Sequence, residues 1–377
     1  MSGASFEGRR KATVAVVDAR DDVCAAVRAA MEAVRWREAV GAAAEVAVKP
    51  NLGWDLHLPG AVTSGAVVEG VVRVLRDTAR RIYLVEADQV TVSCERALRQ
   101  TGMDRVCREY GLEWVNLSRV PMAGVRVPAP LAEPELPIPE LLTRIPLVSV
   151  PVLKTHGRTV LSGAVKNQWG CLPISRHRYH AALDEVLRDL CAVLRPRLCI
   201  VDATVALEGN GPKSGRPKVC DLVLAGADPV AVDAVASRVM GLDHLAIRHL
   251  DLCAAAGLGV RHPARIDVVD GRGQPLAPPV MAFEAARHNA VSWVETALRS
   301  SRAGRVVLEG PLFRLLCLAT RVYYRAWYHG PAGRRLLRRL SRERAALQAP
   351  ERASGMAAPP PEPMLRSAPP PPSLSEP

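Results

Sequence analysis

Two lysines, three histidines and an asparagine crowd into the stretch between Val150 and His180. It reads Val150-Pro-Val-Leu-Lys-Thr-His156, then Leu161-Ser-Gly-Ala-Val-Lys-Asn-Gln-Trp-Gly170, and then His177 and His180. Lysine ammonium groups neutralise carboxylate or phosphate, and a partly buried lysine can act as a base or nucleophile. Histidines move protons near neutral pH or bind metal. Gly157, Gly163 and Gly170, interleaved with these residues, let backbone come close to a ligand. The pattern points to a site for an anionic small molecule. Lys154, His156, Lys166 and His180 are the candidates for chemistry, with Asn167 binding substrate. A single lysine at a strand end would be an ordinary solvated residue, and His177 in Ser-Arg-His-Arg is the weakest member of the group.

Three further stretches could contribute. Lys49-Pro-Asn-Leu-Gly53 follows an apolar run; Lys49 offers charge and Asn51 both a donor and an acceptor. Thr63 and Ser64 stand where a helix begins, so backbone N–H groups and the helix dipole could face an anion; ordinary N-capping is the simpler explanation. Asp202 ends an apolar run, the usual address of a site carboxylate in α/β proteins. Glu208 follows, just before Gly209-Asn-Gly-Pro212. Amides of Gly209 and Gly211 could cradle a phosphate, and Asp202 and Glu208 are the candidate ligands for a divalent metal. The loop matches neither the Walker pattern nor the dinucleotide-binding glycine fingerprint. Asp228 reads as a helix cap, and Asp233 lies inside the helix that follows.

The elements that must position these groups alternate short Val/Ile/Leu runs with helical patterns, which predicts an α/β fold with mixed or parallel sheets flanked by helices. Strands are expected at 12–17, 45–48, 81–86, 114–117, 147–153, 198–201, 222–225 and 266–269. Helices are expected at 21–35, 64–77, 94–100, 179–194, 229–240 and 247–256. Residues 121–139, rich in proline, read as a loop between two lobes, with the break near 121–145. The expected organisation is an α/β domain over 1–280, a basic amphipathic helical arm over 281–348, and a disordered Pro-rich tail over 349–377.

Of 377 residues, 49% are hydrophobic but only 4% aromatic, so the core must be built from Val, Leu, Ala and Ile. None of the nine cysteines forms a C-x-x-C pair, which argues for reduced, mostly buried thiols and a cytoplasmic setting. Cys171, beside Gly170, is the one placed within the key segment. No secretion signal or membrane-length apolar run is evident. The formal charge of +12 is concentrated late: residues 305–344 hold ten arginines against Glu309 and Glu343. Beside Leu312, Phe313, Leu315, Leu316, Val322, Tyr323, Trp327 and Tyr328, those arginines suit an anionic membrane surface. They fit equally a helix packed on the body with its charges in water.

Taken together, Val48-Lys-Pro-Asn-Leu52, Thr63, the 150–156 and 163–170 segments, His180, Val201-Asp-Ala203, Glu208-Gly-Asn-Gly-Pro212 and Asp228-Pro-Val-Ala-Val-Asp233 resemble a bacterial and archaeal family known as domain of unknown function 362. The likeness runs from about residue 12 to 270. Many members of that family carry a ferredoxin-like iron–sulfur segment; this chain has no cysteines at cluster spacing. The pattern His156, Ser162-Gly-Ala-Val-Lys166, Gly170, Pro173, His180 is also similar, more weakly, to the nickel-pincer lactate racemases. That likeness implies that Lys166 is the cofactor-anchoring lysine, although the second glycine before it is missing.

The leading functional expectation is an enzyme of oxidoreductase or isomerase type acting on a carboxylate or phosphate compound, redox-linked or metal-assisted, its cofactor unspecified. Lys49, Lys154 and Lys166 would bind the anion and His156 or His180 would move a proton. The competing expectation is a carrier or sensor that binds a phosphorylated or metal-containing ligand without turnover. Expected partners are the anionic ligand, an anionic membrane surface, or a redox partner protein. Nucleic-acid binding through the C-terminal arginines is the least favoured reading.

Overall fold

A computed structural model describes residues 11–286 and 312–340. The strands are β1 (Ala12–Asp18), β2 (Glu45–Pro50), β3 (Arg81–Glu86), β4 (Glu113–Asn116), β5 (Met122–Arg126), β6 (Glu135–Pro139), β7 (Leu147–Val150), β8 (Val152–His156), β9 (Val160–Ser162), β10 (Leu198–Glu208), β11 (Arg216–Gly226) and β12 (Ile266–Val269). The helices are α1 (Val23–Ala33), α2 (Trp36–Val40), α3 (Gly65–Leu75), α4 (Cys94–Gln100), α5 (Met103–Tyr110), α6 (Glu140–Arg144), α7 (Ala164–Asn167), α8 (Leu183–Val193), α9 (Pro229–Met240), α10 (Arg248–Ala255) and α11 (Leu312–His329). Residues 331–340 are helical. Residues 287–311 and 341–377, including Arg305, Arg342, Arg344 and the whole Pro-rich tail, lie outside the described residues.

Ten strands form one mixed sheet whose main path runs β12-β1-β11-β10-β7-β2-β3-β4, with β8 paired to β10 and β9. β10, β7, β2, β3 and β4 are mutually parallel, while β11 runs antiparallel between β10 and β1. The strands carry near-continuous Val/Ile/Leu/Ala runs because both faces are covered. One face holds the core with α1, α3 and α5; the other holds that with α8, α9 and α10. Helix α3 shows the local logic. Ser64 caps it by accepting from Val67 N–H, and Val67, Val68, Val71, Val72, Val74 and Leu75 are all buried. Each such side chain contributes roughly 1.5–3 kcal/mol, so a charge at the buried Val71 would undo the packing of α3.

Two expectations are corrected. The run 147–153 is not one strand: Pro151 interrupts it, and the chain re-forms as β8, which carries Lys154 and His156 and turns back through β9. Residues 121–139 are not a loop but the hairpin β5–β6. Prolines survive there because a two-stranded ribbon is all edge. The hairpin is inserted between β4 and β7 of the same sheet, at the position where a break between lobes is expected.

By contact density the chain divides into Met1–Arg334 and Arg335–Pro377. Helix α11 therefore belongs to the first unit with the α/β body.

Candidate functional site

The key residues meet at the carboxyl ends of parallel strands β2, β3 and β7, where α/β sheets place ligands. Strand β2 delivers Lys49 and Asn51. Strand β3 delivers Glu86. Strand β8 delivers Lys154 and His156, and the turn α7 delivers Lys166 and Asn167.

A buried polar network ties these segments together. Lys49 is 1% exposed; its Nζ donates to Glu86 Oε2 at 2.9 Å and to Pro50 O at 3.0 Å. Asn167 Nδ2 donates to Ser149 Oγ at 2.9 Å and to Lys49 O at 3.1 Å. Its Oδ1 accepts from Asn51 Nδ2 at 3.4 Å. Lys154 Nζ donates to Asn51 Oδ1 at 2.7 Å and Ala61 O at 2.8 Å. Thr63 braces the turn: its hydroxyl accepts from Asn51 N–H at 2.8 Å and donates to Val150 O at 2.7 Å.

Glycines make the close approach of these segments feasible. A Cβ on Gly163 would lie 2.1 Å from Asp233 Oδ1, and one on Gly170 would lie 2.4 Å from Glu86 Oε1. Asp233, fully buried on α9, accepts from Ala164 N–H at 2.5 Å and Val165 N–H at 2.9 Å. It thereby fixes the turn that carries Lys166. Burial raises its carboxyl to about 6, against the opposing pull of those two N–H groups.

Two ammonium groups are held in an unfavourable setting. Burial lowers Lys154 to about 7, reinforced by Lys166 and Lys213. Burial lowers Lys166 to about 8, reinforced by Arg176 and Lys49 and opposed by Asp184. Among the described residues Lys166 has no hydrogen-bond or ion-pair partner, yet its side chain is half-buried. Lys154 uses two of its three N–H donors. Both can bind an anion, and either can give up a proton near neutral pH.

His156 has a fixed role. Its Nδ1 accepts from Arg158 N–H at 3.1 Å and Thr159 N–H at 3.3 Å. The ring proton must then sit on Nε2, which makes the neutral imidazole a donor. Burial, with Lys166 and Lys154, pushes His156 well below the usual histidine range. His180 stands edge-on to Trp169 with centroids 5.3 Å apart, and its Nδ1 lies 2.9 Å from His177 O.

Other sequence candidates are occupied elsewhere. Lys49 is committed to Glu86. Asp202 accepts from Ser64 N–H at 2.7 Å and from the N–H and hydroxyl of Thr204 at 3.0 and 2.7 Å. Glu208 is paired with Arg216 at 2.8 Å and Lys218 at 3.3 Å. Among the described residues no three His, Cys, Asp or Glu side chains are grouped to hold a metal. The amides of Gly209 and Gly211 donate to Glu284 O and Gly209 O, at 3.0 and 2.7 Å. The Gly209 N–H is thus spent on the segment around Glu284 and the Gly211 N–H on its own loop. Burial pushes the Cys171 thiol up to about 12, so it stays protonated.

Two contributors escaped sequence reasoning. Glu86, the partner of Lys49, ends a parallel strand, the same address that drew attention to Asp202. Arg176, 4% exposed, donates to Leu172 O at 2.7 Å and Asp88 O at 2.9 Å. It adds positive charge beside Lys166, and an arginine in a run of exposed-looking Ser, Arg and His carries no signal of burial.

Fold and site together define an α/β protein with basic side chains gathered at the carboxyl edge of its parallel strands. The chain belongs to the family described as domain of unknown function, DUF362, whose model matches residues 46–238. That span includes Lys49, Asn51, Lys154, His156, Lys166, Asn167, His180 and Asp233. A thylakoid-associated protein of Synechocystis sp. is 32% identical over 105 residues, covering 26% of this chain and 33% of that protein. Neither match carries the likeness to lactate racemases. Nor does His156 fit a nickel ligand as it is placed, because Nδ1 is engaged by two N–H groups and Nε2 carries the proton. No step is derived through that cofactor.

Proposed function

We propose that the chain is an enzyme acting on a small molecule that carries a carboxylate or phosphate, bound by Lys166 and Lys154. The observation that carries this reading is the Lys166 ammonium, enclosed beside two other lysines without a partner among the described residues. A partnerless charge in such a place is costly, and an anionic ligand would relieve it. In this reading His156 donates through Nε2 to an acceptor atom of the substrate, and Asn51 and Asn167 hold the lysines in register. Lys166, poised near neutral pH, is the proton carrier.

Turnover of a panel of carboxylate and phosphate metabolites by the purified protein, followed by mass spectrometry, tests the proposal. Conversion lost in Lys166→Met supports it. Tight binding without conversion would favour a carrier or sensor.

We also infer that the chain works at a membrane surface through residues 305–347. The thylakoid-associated relative and the arginine-rich composition of that segment favour this. No described helix is long and apolar enough to cross a bilayer.

A further inference from the structure

Helix α11 has two faces of different character. On the inner face, Tyr324 stands edge-on to Trp54 with ring centroids 5.0 Å apart. Arg321 donates to Val90 O at 2.8 Å, and the Tyr328 hydroxyl donates to His57 O at 2.7 Å. Lys213 lies 5.3 Å from the Trp54 ring and 5.7 Å from the Tyr324 ring, and donates to Thr91 Oγ1 at 3.1 Å. The helix is thereby fastened across the loops that follow β2, β3 and β10, on the edge of the sheet where the lysines gather.

The outer face is apolar and open. Leu315, Leu318, Val322 and Tyr323 are 62%, 57%, 60% and 42% exposed. The spacing of 315, 318 and 322 puts three of them on one stripe. Single exposed apolar residues need no explanation, but a stripe of them marks a contact surface. Its charge narrows the occupant: the helix, residues 312–329, holds three arginines and no aspartate or glutamate, and Arg325 is exposed among the apolar positions. Leucines flanked by tyrosine and arginine suit the boundary between acyl chains and anionic headgroups.

We propose that the outer face of α11 rests on an anionic bilayer, with Leu315, Leu318 and Val322 in the acyl boundary, Tyr323 at headgroup level and Arg325 on lipid phosphates. This names the contact face for the membrane reading given above. It also turns the lysine-bearing edge of the sheet toward the membrane, because the same helix is fastened to that edge.

The test is flotation of the full-length protein with vesicles of equal parts phosphatidylcholine and phosphatidylglycerol, against phosphatidylcholine alone, at low salt. The parent should bind the anionic vesicles at least about tenfold more tightly than the neutral ones. The pair Leu318→Glu and Val322→Glu should weaken that binding by a further factor of at least about ten. Both positions face solvent, so the melting temperature should hold. As a second variant, Arg325→Glu should weaken binding at least about fivefold. A folded double variant, or Arg325→Glu, that binds as tightly as the parent overturns the face while leaving membrane association standing. A parent that binds neither vesicle overturns both. A concentration-dependent dimer of the parent that the double variant abolishes assigns the stripe to a second copy and also overturns the proposal.

Discussion

Replacing Lys166 by methionine should stabilise the fold at neutral pH. Lys166 is half-buried, and its ammonium has no hydrogen-bond or ion-pair partner among the described residues. Burial, together with Arg176 and Lys49, takes its pKa from 10.5 to about 8. At about 1.4 kcal/mol per unit, a shift of that size corresponds to roughly 3 kcal/mol against the charged form in the folded chain. The residue as a whole is only half-buried, and solvent nearby screens the charge, so about 1–2 kcal/mol is the expected net effect. Since the folded pKa is depressed, the penalty is fully present below about pH 8. It fades as pH rises toward 10.5, because there the unfolded chain holds a proton that the folded chain has lost. Methionine fills a similar volume without charge and adapts to irregular space. In a domain of this size, 1 kcal/mol moves Tm by about 2–4 °C. Thermal melts followed by circular dichroism, without added anion, should therefore place Lys166→Met about 2–8 °C above the parent near pH 7. The two should converge near pH 10.5, the ordinary lysine value. A variant that melts below the parent near pH 7, or that gains equally at every pH, would falsify the claim that Lys166 carries a penalised charge.

Gly163→Ala should cost about 3 kcal/mol or more in denaturant melts, since its Cβ would lie 2.1 Å from the Asp233 carboxylate that fixes the α7 turn; unchanged stability would show that the approach is not close. Nitrogen-15 NMR of the histidine rings should find His156 protonated on Nε2 and still neutral at pH values well below 6.5, because burial and the neighbouring lysines depress its pKa. His156 should then cost stability as pH falls through the unfolded value of 6.5, since only the unfolded chain takes up the proton there. A ring that titrates at or above about pH 6.5, or that carries its proton on Nδ1, would contradict this.

Much of the fold was legible in residue type alone. The Val/Ile/Leu runs and their turn residues located β3, α4, α9 and β12 to the residue, because each is a locally decided element with a clear cap or breaker. Asp228 before Pro229 fixes the start of α9, and Gly241 its end. Local patterning could not show that Pro151 splits an apolar run into β7 and β8. Nor could it show that 121–139 pairs with itself, since pairing partners are decided in three dimensions. For the site, clustering of Lys154, His156, Lys166 and Asn167 between glycines was readable. The way each is used was not. Lys49 is consumed by Glu86, 37 residues away, Asp202 by the start of α3, and the His156 tautomer by the turn after β8. Such assignments depend on which donors the fold leaves over, and no spacing rule contains that information.

The central claim is that Lys154 and Lys166 form an anion site whose charge is lost near neutral pH. Sulfate is the most direct probe, because it stays a dianion across the relevant range and only the protein titrates. Calorimetric titration of the full-length protein with sulfate between about pH 6 and pH 9.5 should show binding that weakens steadily above about pH 7–8, as the two lysines at about 7 and about 8 deprotonate. Lys166→Met should abolish binding even at the acidic end. Affinity that stays level up to about pH 9.5, or that survives in Lys166→Met, would contradict the account.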